Sequence, residues 1–188
     1  MVFQPPTLLW GWRFTLNKLT TNHPAWLVIS KAPSNKENIV DDLKAIAKEL
    51  MYAIQIGDYE KAKSYLAPDF KFSGSVPKPL KAEAWVVMNM NLKKAFPNLE
   101  YHFRVESVQS GGVVKISSEL KGTHKGDLDL TSMKMGMIPA TLKSFAAGRE
   151  HGKLIIHENK VASWIVEPNK GAGILVILSQ LGVKPVAN

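Results

Sequence analysis

The chain has 188 residues, of which 45% are hydrophobic and 21% charged, proportions typical of one soluble globular domain. It contains no cysteine, which excludes disulfides, thiolate metal sites and cysteine nucleophiles and leads us to expect a cytoplasmic protein. The formal net charge is +8, but the lysines are scattered and no apolar stretch reaches the roughly 18 residues of a membrane helix. We therefore predict neither a nucleic-acid partner nor a membrane partner.

Residues 1–33 differ in composition from the rest of the chain. They contain four prolines, three of the five tryptophans and no acidic residue, and they show no sustained helical or strand period. One interpretation is a targeting segment, since acids are absent while threonine and asparagine are common. The other, which we favour, is a poorly ordered N-terminal extension that precedes a single domain from residue 34 to about 185.

Three helices are predicted at the start of this domain. Ser34 and Glu37 form a capping-box pattern that begins the first helix, and Gly57 ends it. Asp58 can cap a second, short helix that ends near residue 66. A third helix from about residue 81 ends before Pro97. The buried face of the first helix is a stripe of aliphatic residues three or four positions apart: Ile39, Leu43, Ile46, Leu50 and Ile54.

The second half of the domain is dominated by strands. Alternating apolar and polar residues predict strands at 99–106, 114–124, 145–157 and 161–167, after a short first strand at 70–72. Gly111-Gly112 predicts a hairpin turn, residues 125–142 a long loop, and residues 171–181 a short helix or an irregular apolar turn. Helices gathered before a run of strands favour an α+β fold, with helices on the concave face of a curved antiparallel sheet and a pocket between them.

Several short phrases between residues 37 and 183 resemble, in their order and spacing, the SnoaL-like polyketide cyclases of the NTF2-like superfamily. These phrases are Gly57-Asp58, Leu66-Ala67-Pro68-Asp69-Phe70, Ala95-Phe96-Pro97-Asn98-Leu99, Gly122-Thr123-His124-Lys125-Gly126, Ile138-Pro139-Ala140-Thr141 and Gln180-Leu181-Gly182.

The resemblance implies a cone-shaped α+β barrel with a hydrophobic pocket that takes a small apolar molecule, and a homodimer packed through the open face of the sheet. It also implies acid–base chemistry by a pocket carboxylate and a histidine, without cofactor or metal. Those proteins usually have a His-Trp-Asp phrase on the last strand. Here the matching stretch has Ser163 and Trp164, and Glu167 offers its only carboxylate. Their Thr-Gly-Lys phrase is Thr141-Leu142-Lys143 here, so a turn glycine is missing.

Three residues are candidates for catalysis: His124, Glu167 and Asp69. His124 shares the strand phase of Leu120 and should face the apolar side, where it could act as a general base or bind a ligand carbonyl. The alternative is a histidine at a strand end, hydrogen-bonded to the backbone or to water. A carboxylate in an apolar pocket gains a raised pKa, which would suit Glu167 or Asp69. For Asp69, ordinary turn chemistry after Pro68 is the alternative.

The predicted ligand-binding residues are apolar or aromatic positions on the inward faces of the helices and strands: Trp85, Met88, Tyr65, Phe72, Phe103, Leu120 and Trp164. Core packing is the alternative for most of them. Arg149, His151 and His157 share one strand phase and could bind an anion, although a solvent-exposed or dimer face suits them better. No pair of histidines has the spacing of a metal site, so we predict none.

Two hypotheses for function follow. In the first, the chain is a pocket protein that binds or converts an apolar, carbonyl-bearing ligand, with His124 and Glu167 as the polarising groups. In the second, it is a non-catalytic dimeric interaction module without a small-molecule site. An open apolar cavity with His124 and a carboxylate on one wall would favour the first hypothesis, and a closed interior filled by side chains would favour the second.

Overall fold

The computed structural model describes residues 35–183, so the predicted extension and the predicted N-cap Ser34 lie outside the described residues. Four α-helices occur within that range: α1 (Asn35–Ile56), α2 (Tyr59–Ser64), α3 (Ala82–Ala95) and α4 (Ile174–Leu181). The side chain of Asp58 accepts a hydrogen bond from the backbone N–H of Lys61, as expected for the cap of α2. The apolar segment near the C-terminus is a helix, α4, rather than an irregular turn.

The first helix buries only part of its predicted stripe. Leu50 and Ile54 are fully buried against the sheet, whereas Ile39 is 58% exposed. The first turns of α1 therefore extend beyond the core, and among residues 35–183 nothing covers Ile39 at that end of the apolar stripe. None of the described helices is both long enough and apolar enough to cross a membrane.

Nine strands occur within the described residues. They are β1 (Leu66–Ser73), β2 (Arg104–Gln109), β3 (Val113–Ser118), β4 (Lys121–Thr123), β5 (Leu128–Leu130), β6 (Gly136–Ile138), β7 (Ser144–Ala146), β8 (Glu150–His157) and β9 (Lys160–Glu167). Five of them form one curved sheet in the order β1-β9-β8-β3-β2, in which β1 and β9 are parallel and the other neighbours are antiparallel. The pairs β4-β7 and β5-β6 form two small sheets.

Two of the predicted strands are each broken in the middle. Residues 119–120 separate β3 from β4, and residues 147–149 separate β7 from β8. The two breaks face each other, because the backbone N–H of Ala147 donates to the carbonyl of Leu120 at 2.8 Å. Both predicted strands leave the five-stranded sheet at these breaks. Beyond the breaks, β4 and β7 pair with each other in a separate small sheet.

Two further predictions differ from the structure in their details. The predicted strand at 99–106 becomes regular only at Arg104, since His102 adopts a left-handed conformation with φ of 40°. The predicted loop at 125–142 contains the short hairpin of β5 and β6, whose three-residue strands are too short to show an alternating period.

The core lies between the inner face of the five-stranded sheet and the helices. Inward residues of β3, β8 and β9 are buried there, including Val114, Leu154 and Trp164. From the helices, Leu50 of α1 and Trp85 of α3 complete the same apolar cluster. This arrangement confirms the predicted α+β class with a curved sheet.

Candidate functional site

A cavity opens between the inner face of the sheet and helices α3 and α4. Its volume is about 140 Å³, close to that of an apolar cavity of about 150 Å³ that holds benzene. Most of the wall is apolar, and it includes Leu120 and Ile116 from β3 and its extension and Ile177 from α4. The interior is therefore not completely filled by side chains.

Aromatic rings form one side of the cavity. The ring of Trp164 on β9 lies 5.8 Å from that of Trp85 on α3, 6.1 Å from Phe72 on β1 and 5.9 Å from Phe103. The contacts with Phe72 and Phe103 are edge-on, a favourable arrangement for aromatic pairs. These contacts hold rings from a helix, the strands and the loop before β2 in one rigid wall.

The acidic residue of the cavity is Glu150, the first residue of β8. It is the one carboxylate among the described residues that line the cavity, and it is half-buried. It forms no hydrogen bond or ion pair with another described residue, and burial raises the pKa of its carboxyl group. Its Oε1 atom lies 3.2 Å from where a Cβ would stand at Gly173, which has a φ of 84°. A side chain at position 173 would thus be strained and would crowd this carboxylate.

Ser118 is the cross-strand neighbour of Glu150. The two residues are paired between β3 and β8, and both line the cavity. Paired side chains on one face of an antiparallel sheet have Cβ atoms about 5 Å apart. A hydroxyl donor and a carboxylate acceptor therefore stand side by side on the cavity wall.

A second polar side chain of the wall, that of Asn89, already has hydrogen-bond partners within the protein. Asn89 is buried on α3, where its amide donates to the carbonyl of Trp85 at 2.9 Å and accepts from the Tyr101 hydroxyl at 3.0 Å. The pKa of Tyr101 lies above its usual range, mainly because the hydroxyl is buried and also because Tyr59 is near. Asn89 and Tyr101 thus form a neutral, rigid part of the wall.

Most of the predicted ligand-binding residues come together at this cavity. Six of the seven line it: Trp85, Met88, Phe72, Phe103, Leu120 and Trp164. Tyr65 does not, because it caps the C-terminus of α2 and packs against the outside of the core. Ligand binding by the six remains a prediction.

His124 lies in a different part of the interior. It is fully buried, as its strand phase indicates, but it is not among the residues that line the cavity. Its ring lies 5.2 Å from that of Phe96, and Phe96 in turn contacts Phe145 of β7. The prediction that His124 faces the pocket is therefore corrected: the break between β3 and β4 carries it past the cavity into a solid core.

The imidazole of His124 is only half-satisfied. Its Nδ1 atom accepts a hydrogen bond from the backbone N–H of Thr141 at 3.2 Å, so the neutral ring has its proton on Nε2. Nε2 has no hydrogen-bond partner among the described residues. Burial lowers the pKa of His124, and the nearby charge of Asp127 offsets this in part. Both features describe a neutral packed histidine.

Glu167 and Asp69 are exposed, and neither lines the cavity. Glu167 follows Trp164 by three positions on β9, so the two side chains point to opposite faces of the sheet. Asp69 lies where the register of β1 and β9 shifts, with its side chain on the solvent side of β1. The strand geometry therefore separates both carboxylates from the cavity residues.

Glu150 could have been found from the sequence. It shares the strand phase of Gly152, Leu154 and Ile156, three buried residues of β8. The same alternation that places His151 and His157 outward places Glu150 inward. The sequence interpretation considered only its neighbours Arg149 and His151, as part of a possible anion site.

The outer face of the sheet has its own pattern of charge. Arg149 donates to Glu119 at 2.8 Å through Nε, and His151 lies 3.3 Å from Glu106. A hydrogen bond from Ser117 lowers the pKa of Glu106, and the contact with His151 lowers it further. Because Arg149 and His151 already have carboxylate partners, this face fits the solvent or dimer interpretation better than anion binding. The described residues include no cluster of three or more histidine and acidic side chains that could hold a metal ion.

Solved structures with the same fold are similar to most of this chain. The "putative polyketide cyclase" of Xanthomonas campestris is 11% identical, with a TM-score of 0.62, and the match covers 76% of this chain and 98% of that one. A "putative SnoaL-like polyketide cyclase" of Jannaschia is 17% identical, with a TM-score of 0.60 and coverage of 78% and 96%. AclR of Streptomyces galilaeus, named a "putative hydroxylase", is 19% identical, with a TM-score of 0.58 and coverage of 79% and 86%.

No protein-family model matches the chain, and neither does any curated protein sequence. The similarity to solved structures therefore concerns the fold. The chain has the α+β fold of these solved SnoaL-like structures, which confirms the resemblance seen in the sequence at the level of the fold.

Proposed function

We propose that the chain is a small-molecule pocket protein that binds an apolar, carbonyl-bearing ligand and moves a proton on it through Glu150. The observation that supports the proposal is a half-buried carboxylate with a raised pKa and no partner on the wall of an apolar cavity. Structural ion pairs keep carboxylates acidic, whereas an acid–base catalyst needs a pKa closer to neutrality. The SnoaL-like fold of the solved cyclases supports the same class of chemistry.

The chemistry follows from the positions of Glu150 and Ser118. The Glu150 carboxylate takes a proton from the carbon next to the ligand carbonyl, and the C–H electron pair moves into an enolate. The Ser118 hydroxyl donates a hydrogen bond to the carbonyl oxygen, where negative charge develops. In a ligand with a C=C bond conjugated to the enolate, return of the proton from Glu150 to the far end of the dienolate gives an isomer. Attack of the enolate on a second carbonyl of the same ligand instead gives a ring, and the resulting alkoxide takes the proton back from Glu150. Neither outcome requires a cofactor.

This proposal replaces the residues expected from the sequence. His124, Glu167 and Asp69 lie away from the cavity, so proton transfer is assigned to Glu150 alone. The six aromatic and aliphatic wall residues, including Trp85 and Trp164, would hold the ligand by apolar contact. The open cavity supports this hypothesis over that of an interaction module without a small-molecule site.

The test uses acetophenone, a ketone of about the size the cavity admits. In D₂O near neutral pH, the wild-type protein should speed deuterium incorporation at the methyl group, measured by proton NMR. Glu150→Gln keeps the shape of the side chain but removes the base, so the enzymatic exchange rate should fall at least about 100-fold. Glu167→Gln, a matched change of an exposed carboxylate, should leave that rate unchanged.

Two results would contradict the proposal in different ways. If Glu150→Gln binds acetophenone and still catalyses exchange, Glu150 is not the base. If the wild-type protein shows no binding of acetophenone by calorimetry, the interaction-module hypothesis gains support. Circular dichroism of each variant verifies that it is folded.

We also propose that two copies pair through the outer face of the sheet. Ile155 of β8 and Ile165 of β9 lie on this face and are half-buried, so it is partly apolar. Covering these side chains would remove apolar surface from water. Sedimentation at several concentrations should show a dimer that Ile155→Glu disrupts and Lys153→Glu, on the same face, weakens less. A wild-type monomer at high concentration would contradict this pairing.

A further inference from the structure

A second depression adjoins the cavity on its α3 side. It is an open groove of about 870 Å³ between α3, the segment before it and the β5–β6 hairpin. Its walls include Leu80, Ala84 and Val87, and Val87 is 53% exposed although it is aliphatic. The groove thus offers apolar surface that no described residue covers.

The cavity and the groove share part of their walls. Five residues line both of them: Val76, Met88, Leu92, Leu130 and Met133. A residue that faces two spaces at once belongs to the partition between them. That partition is therefore only one layer of side chains thick.

Two methionine side chains in this partition can change conformation easily. Met88 lies on α3 and Met133 lies in the turn between β5 and β6; both line the two spaces, and both are half-buried. Methionine is unbranched and has three rotatable bonds, so it can change its rotamer at low cost to admit another group. A rotamer change of these two side chains can thus connect the cavity to the groove without a change of the backbone.

We propose that the ligand is elongated, with a compact carbonyl-bearing end in the cavity and an apolar tail that passes Met88 and Met133 into the groove. This inference rests on the proposed function and extends it by naming the shape of the ligand. The cavity alone holds about one ring, while typical ligand sites measure roughly 300–1,000 Å³. The groove supplies the missing volume next to the cavity, which a compact ligand would leave unused.

The experiment uses a series of phenyl alkyl ketones, from acetophenone to dodecanophenone, with binding measured by calorimetry. The phenyl ketone end is constant, so the series varies only the tail. Affinity should rise about fourfold for each added methylene that becomes buried in the groove. A cavity without an extension would instead give constant or falling affinity once it is full.

Two phenylalanine substitutions on α3 separate the groove from general hydrophobic partition. Ala84→Phe places a ring in the groove without touching the cavity, because Ala84 is exposed and lines only the groove. It should leave acetophenone binding unchanged and abolish the gain with tail length. Met90→Phe is the matched control, since Met90 is 49% exposed on the same helix and lines neither space.

The possible outcomes test the groove proposal and the cavity proposal separately. If acetophenone binds but longer tails add nothing, or if Ala84→Phe retains the full gain, the groove proposal is wrong while the cavity proposal stands. If no ketone of the series binds, both fail. If Ala84→Phe converts a wild-type dimer into a monomer in sedimentation, the groove is a contact between copies and the tail proposal is overturned.

Discussion

Two regions of the same interior place a titratable side chain inward and differ in what surrounds it. Around Glu150 the wall stays open, since Gly152 and Ala147 line the cavity with little or no side chain. Around His124 the rings of Phe96 and Phe145 fill the space. An inward strand phase therefore predicts burial equally well in both regions, but the size of the neighbouring side chains decides whether a ligand has room.

The backbone reinforces this difference at the His124 end. The N–H groups of Lys125 and Gly126 both donate to the carbonyl of Ala95 at 3.0 Å, which fastens the end of β4 to the end of α3. A Cβ at Gly126 would lie 2.6 Å from the carbonyl oxygen of Lys94, so only glycine permits this approach. The contact closes that end of the interior, and the space near α4 remains open.

The largest expected effect comes from removing one large ring in each region. Trp85→Ala and Phe96→Ala should each lower the free energy of unfolding by about 3–5 kcal/mol, since both side chains are almost fully buried. Trp85 borders the existing cavity, so added indole should bind in the space left by Trp85→Ala and restore much of the lost stability. The same indole should do little for Phe96→Ala. Urea unfolding with and without indole measures this, and equal rescue of both variants would remove the distinction between the two regions.

A smaller effect concerns the pH dependence of stability at the His124 end. Because burial lowers the pKa of His124, the unfolded chain binds its proton first as the pH falls through about 6.5, the ordinary value. The neutral ring therefore contributes stability that is present above that pH and lost below it, by about 1 kcal/mol between pH 7 and pH 5. His124→Phe should flatten this part of the curve, and His157→Phe, at an exposed position, should not. A slope that survives in His124→Phe would show that other groups cause it.

The smallest effect has the opposite sign and concerns Glu150. Its raised pKa means that the protonated form is favoured in the folded state, so stability is fully present below the ordinary value of 4.5 and is lost as the pH rises through the folded value. At pH 7, Glu150→Gln should therefore raise the free energy of unfolding by about 1 kcal/mol or less. The gain should vanish below pH 4. A variant that is less stable than wild type at pH 7 would mean that the carboxylate has a structural partner.

The sequence predicts more of the fold than of the site. The helices and the strand phases follow from capping residues and apolar periods, and these place six of the predicted wall residues at the cavity. The breaks that turn His124 away from the cavity lie at 119–120 and 147–149. Ala147 and Leu120, residues far apart in the chain, meet in a hydrogen bond at these breaks, and no local pattern reveals such a meeting.

The misplacement of Glu167 has a different cause. Alternation along β9 places Glu167 on the opposite face of the sheet from Trp164. The prediction for Glu167 followed the resemblance to a His-Trp-Asp phrase instead of this alternation. Glu150 shows the reverse: parity alone points to it, while no phrase of the resemblance includes it. For both carboxylates, alternation is the better guide to which side chains meet in space.

The parallel pairing of β1 with β9 determines when the site can form. Leu66 pairs with Val161, so the first strand of the sheet meets its only strand partner near the end of the described chain. Until β9 is made, Phe70 and Phe72 of β1 lack the sheet that buries them, and contacts between such distant segments form slowly. We therefore expect the aromatic wall of the cavity to assemble late during synthesis, only after β9 has been made.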